Sequence, residues 1–161
     1  MSPAPLVECI PNFSEGRRTD VIEGIVSAMA GVAGTEVLDV SSGRAANRTV
    51  VTMAGPPGAI LESAFRGVAA ATRTIDMRTQ DGVHPRIGAA DVVPLVPVQG
   101  VDMDDVVALA AQLSGRIGGE LGVPVYRYGR AAAPGRPAGL AALRRGQLRG
   151  LRTRLDEGTL L

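Results

Sequence analysis

What most constrains the fold of this chain is the order in which strand-like and helix-like apolar patterns alternate. Leu6 to Ile10 is a short apolar run closed by Pro11, which predicts a first strand. Asn12 to Arg18 is polar and reads as a loop. Asp20 with Glu23 three residues on reads as a helix start, and Val21, Ile22, Ile25, Val26 and Met29 follow at helical spacing. Gly31 and Gly34 end that helix. Glu36 to Val40 and Arg48 to Ala54 predict two strands, and the segment Ser41 to Asn47 between them is long enough to be functional rather than a tight hairpin. Pro56 and Pro57 open a second helix, where a missing amide hydrogen is tolerated, and it runs to about Thr74. Ala89 to Val98 predicts another strand, with Pro94 and Pro97 indicating an edge or bulged position.

The order βαββαβ predicts an α+β fold of the ferredoxin-like, split-βαβ type, an antiparallel or mixed sheet with helices packed on one face. Asp102 with Asp105 caps a third helix to about Leu121, Val123 to Tyr128 predicts an additional strand, and Leu140 to Leu148 a C-terminal helix. No repeat or linker divides the chain, so its 161 residues are expected to form a single domain. Its core must be aliphatic, because the chain has no Trp and only two Tyr and two Phe.

Charge narrows the partners. Seventeen basic residues face 16 acidic ones, which gives no overall bias toward nucleic acid. From Arg127 onward the balance tips to arginine, and the preferred reading is a solvated helix face, since almost no aromatics are present to stack on bases. Cys9 is the only cysteine, which excludes an intramolecular disulfide and a cysteine zinc site. With no signal-like start and no apolar run of about 18 residues, no membrane association is expected and a cytoplasmic protein is the simple expectation.

Three polar segments interrupt the apolar elements: Pro11 to Gly16, Asp39 to Thr49, and Gly82 to Asp91. The last holds His84, the only histidine of the chain. Imidazole titrates near neutrality and is the default proton-transfer group, and Pro85 biases His84 toward an extended backbone. If the segments meet at one end of the sheet, they assemble amides, a hydroxyl, carboxylates, arginine and one imidazole, which suits binding a small polar substrate and moving a proton. Asn12, Asp39, Asn47, Arg48 and Arg86 are the candidate binding residues around His84. Arg86 or Arg48 can hold a substrate carboxylate bidentately, and Asn12 or Asn47 can donate to a developing intermediate. The alternatives are a salt bridge from Arg86 to Asp91 or Asp39, and turn-capping by the two asparagines. No P-loop, dinucleotide fingerprint, nucleophile elbow or metal set is present, and no metal is expected. Cys9 lies in an apolar run without a basic neighbour and reads as a buried structural thiol.

Several blocks in register resemble one family. Val7 to Gly16, Leu38-Asp39-Val40, Asn47 to Val50, Gly55-Pro56-Pro57, Ile75-Asp76-Met77, His84 to Pro94 and Val123 to Gly129 are similar to glutamate formiminotransferase, a folate-dependent enzyme of histidine breakdown. The likeness covers about Leu6 to Leu151 and concerns the N-terminal subdomain of that enzyme. It implies transfer of a formimino group from formiminoglutamate to tetrahydrofolate, with His84 as the catalytic histidine. The family's transferase unit holds folate between two subdomains, so the expectation here is a half-site, completed by a homodimer partner or by a separate chain supplying the second subdomain. The second expectation is a non-catalytic folate- or metabolite-binding module that keeps the fold. Locally the sequence departs from the family: Gln80, Asp81 and Val83 stand where a further histidine and charged residues are usual, and Ser41 replaces an acidic residue.

Overall fold

A computed structural model describes residues 4–157. Strand β1 (Leu6–Cys9) alternates as a half-buried strand should, with Val7 and Cys9 turned into the core. Pro11 has no amide hydrogen to give, and the strand breaks around it. It resumes as β2 (Asn12–Phe13), so the loop expected from Asn12 starts two residues later, with Phe13 buried.

β3 (Glu36–Gly43) and β4 (Arg48–Gly55) pair antiparallel all the way to Gly43 opposite Arg48. The long connection expected between them is therefore corrected to a tight hairpin, because Ser41 to Gly43 belong to the strand. The Ser42 and Thr49 hydroxyls bond across it at 2.8 Å. Asn47 closes the turn at φ 48°, a left-handed conformation that Asn tolerates better than most residues.

The single strand expected over Ala89 to Val98 is likewise two, β5 (Ala90–Val92) and β6 (Leu95–Gln99). Pro94 cannot donate to a ladder, but its carbonyl accepts from the Ile10 amide at 3.1 Å, beside the break at Pro11. β1 and β2 both pair with β4, while β6 flanks β1 and β5 flanks β2. All of these pairings are antiparallel, and β3 lies beyond β4. The fold is α+β with one antiparallel sheet.

Helix α1 (Thr19–Ala30) starts one residue before Asp20, which is in the first turn rather than at the cap. The amides of Arg17 and Arg18 are instead met by the Glu15 carboxylate at 2.9 and 3.0 Å, which is why the helix enters early. Helix α2 (Pro57–Thr74) opens on Pro57 and buries Ile60, Ala64, Val68 and Ala71 at helical spacing. It lies so close to α1 that a Cβ on Gly67 would stand 2.7 Å from the Met29 sulfur. Helix α3 (Met103–Leu121) carries the expected reciprocal cap between Asp102 and Asp105 and ends on Gly122 at φ 65°.

Beyond α3 the expected strand over Val123 to Tyr128 does not form, since that stretch pairs with no strand of the sheet. The expected last helix is broken at Gly146, φ 74°, into α4 (Leu140–Leu143) and α5 (Gln147–Asp156). Leu143 is buried and holds this arm to the body.

Candidate functional site

The hairpin turn between β3 and β4 organises the site. Asn47, nearly fully buried, accepts from the Gly16 amide at 2.9 Å through its side-chain oxygen. Its side-chain nitrogen donates to Gln80 Oε1 at 2.5 Å and to the Asp81 carbonyl at 2.8 Å. One side chain thus ties together two of the three polar segments and the stretch leading to His84. Asn47 caps other loops rather than its own.

Arg86 completes the attachment. Its guanidinium donates to the carbonyls of Asn47 (2.9 Å), Ala46 and, at 3.3 Å, His84. Among the described residues it has no carboxylate partner; the carbonyls stand where a salt bridge to Asp91 or Asp39 was the alternative. Burial, and then the neighbouring Arg48 charge, lower the Arg86 pKa from its ordinary value. The Val83 amide adds a bond to the Ala45 carbonyl at 3.2 Å. Gly82 presses against this turn, where a Cβ would collide with the Ala46 carbonyl and the Arg86 guanidinium. The segment around His84 is irregular in backbone yet clamped.

His84 itself is only partly buried. Its Nδ1 is 2.7 Å from the Pro85 carbonyl. A carbonyl only accepts, so in the neutral ring the proton sits on Nδ1 and the Nε2 lone pair is left to accept. Val83 beside it is 84% exposed, so no aliphatic cover closes over the segment there.

A second cluster lies alongside. Arg48 donates to Asn12 Oδ1 at 3.0 Å and to Asp91 Oδ2 at 2.7 Å, while Asn12 donates to the Ile10 carbonyl at 2.8 Å. Asp91 is fully buried and also accepts from Arg144 at 2.6 Å and from the Ile87 amide at 2.8 Å. It therefore anchors the far end of the His84 segment. Asp39 stands apart, exposed on β3 opposite Thr52. Among the described residues no group of three or more His, Cys, Asp or Glu stands ready to hold a metal. Cys9 is fully buried, and burial pushes its thiol well up, so it is not a nucleophile.

Glu15 is the residue that sequence reasoning missed. It is 1% exposed, bonds Arg18 Nε at 2.6 Å, and lies 3.4 Å from Gln80 Nε2. Burial raises its pKa, but the Arg18 and Arg17 amides and the Arg18 guanidinium outweigh that and hold it below the usual carboxylate range. Its signal was a lone acidic residue within an otherwise uncharged run from Pro11 to Gly16.

Fold and site together define the class: an α+β domain that clamps a polar segment to a hairpin and keeps its single imidazole reachable by solvent. Within that class the chain belongs to the formiminotransferase family, its residues 6–160 matching the formiminotransferase domain, N-terminal subdomain. It is 47% identical over 152 residues to the formimidoyltransferase-cyclodeaminase of Sus scrofa, covering 94% of this chain and 28% of that protein. To the glutamate formimidoyltransferase of Streptococcus pyogenes serotype M1 it is 41% identical, over 96% of this chain and 52% of that one. The glutamate formimidoyltransferase of Thermoplasma acidophilum is 46% identical over 86% of this chain and 46% of its own length. The chain thus spans between about a quarter and a half of these relatives. No helix among the described residues is long and apolar enough to cross a membrane.

Proposed function

We propose that this chain contributes the histidine-bearing half of a formimino-transfer site, with tetrahydrofolate as acceptor and a formiminoglutamate-like molecule as donor. The observation that carries the reading is the clamped segment in which Nδ1 of His84 faces the Pro85 carbonyl and leaves Nε2 as the proton acceptor. The names of the relatives supply the reaction class. The strand order supports a ferredoxin-like split βαβ unit, in which the hairpin turn and the His84 segment would share one end of the sheet.

In the proposed reaction N5 of tetrahydrofolate attacks the formimino carbon, and a bond forms between them. Nε2 of His84 takes the N5 proton. The tetrahedral intermediate then breaks its bond to the glutamate nitrogen, which receives that proton from His84 and departs as an amine. One imidazole serves as base and then acid. Asn47 and Arg86 act as positioning residues, and Asn12 and Arg48 are the remaining candidates for substrate contacts, since Asp39 stands apart from the site.

The match to only part of each relative supports completion by another subdomain or chain. Leu38 and Val98, both more than half exposed, support cover of the sheet by a second copy. The test is formimino transfer from formiminoglutamate to tetrahydrofolate by this chain alone and with a chain carrying the second subdomain. Turnover in either mixture upholds the reading. Its absence in both, with the fold intact, would favour the non-catalytic binding module.

A further inference from the structure

The His84 segment is held from two sides, and only one of them belongs to the sheet. Asp91 Oδ2 lies 2.7 Å from Arg48 Nη1 and 2.6 Å from Arg144 Nη2, so two guanidiniums fix that oxygen. The other oxygen, Oδ1, is thereby turned to the Ile87 amide, 2.8 Å away. Arg48 sits on β4, but Arg144 comes from the C-terminal arm, 53 positions beyond Asp91. Gln147 of the same arm reaches the segment directly, where its Oε1 accepts from the Arg86 amide at 3.4 Å. Two adjacent backbone amides just past the imidazole are thus tied to the arm, one directly and one through Asp91.

The arm is bent where it makes these ties. Gly146 stands at φ 74° and Gln147 at φ 53°, and a left-handed backbone is costly for a residue such as Gln. The bend is braced from both sides. The Gln147 amide donates to the Arg144 carbonyl at 2.8 Å, and Arg154 donates to the carbonyls of Arg145 (2.8 Å) and Leu143 (3.2 Å). Strain of this kind persists only where the surroundings over-determine it, and it gathers at functional sites. From this geometry we propose that the C-terminal arm sets the position of the His84 imidazole. Arg144, acting through Asp91, and Gln147, acting through the Arg86 amide, are positioning residues for the proton transfer. The proposal rests on His84 as the group that carries the proton.

A single histidine makes the test direct, because the imidazole Hε1 resonance of the full chain reports on one ring. Arg144→Gln should shift or broaden that resonance, and so should Gln147→Gly. Arg145→Gln, which removes the same charge from an exposed neighbour, should leave it in place. In the mixture that turns over, Arg144→Gln should lower kcat about tenfold, with KM for donor and tetrahydrofolate kept within about twofold. Arg144→Lys should recover part of the loss, since an ammonium still meets the Asp91 carboxylate as a point charge. Gln147→Gly separates positioning from stability. Glycine relieves the left-handed backbone, so the melting temperature should hold or rise while kcat falls about threefold. An unmoved resonance in Arg144→Gln, an unchanged kcat in that variant, or equal effects from Arg145→Gln would each overturn the proposal. If no mixture turns over even with the wild type, the transfer reading fails, and the resonance alone decides whether the arm holds the ring.

Discussion

Arg86 looks in sequence like a substrate-gripping arginine, yet its guanidinium is turned onto carbonyls of the hairpin turn and of its own segment. Removing it leaves buried carbonyls unmet, so Arg86→Ala should cost about 3 kcal/mol in urea unfolding. Arg86→Lys should recover only part of that, because an ammonium cannot reach the same set of acceptors. Glu15 gives a pH-dependent prediction. Its folded pKa is depressed, so the unfolded chain binds its proton first as pH falls, and stability present above the ordinary carboxylate range is lost below it. Denaturant midpoints measured between neutral and acid pH should therefore fall less steeply in Glu15→Gln than in the wild type. His84 was legible in the sequence because it is unique and set in polar surroundings. Its clamp was not, because the bonds joining Gln80, Asn47 and Glu15 to it span 31 to 65 positions of chain, and Asn47 reads locally as a substrate donor or a cap of its own turn.

At the scale of elements, periodicity and capping chemistry were readable wherever the signal is local. The reciprocal cap on α3 is an example, and Asp102→Ala should lower the thermal stability by about 1 kcal/mol. Proline signals a disturbance of strands, and here it divides them. Pro11 and Pro94 each split a strand, and the splits fall side by side because the Ile10 amide meets the Pro94 carbonyl. The hairpin is not legible locally, because Ser41, Ser42 and Gly43 have weak strand preference and only their pairing with β4 makes them strand. Val123 to Tyr128 shows the converse, a β-prone run that finds no partner among the described residues.

Across the whole molecule, the chain carries the clamped His84 segment but matches only part of its relatives' length. Light scattering on the purified chain should give the mass of a dimer, with a monomeric mass pointing to cover by a different chain. The central claim is that the hairpin-clamped imidazole moves the proton during transfer. Its most direct test is the single-turnover rate of formimino transfer by wild type and His84→Ala in the competent assembly, with donor and tetrahydrofolate binding measured alongside. His84→Ala should lose about a hundredfold or more in rate with binding of both molecules kept. An unchanged rate in His84→Ala would contradict it.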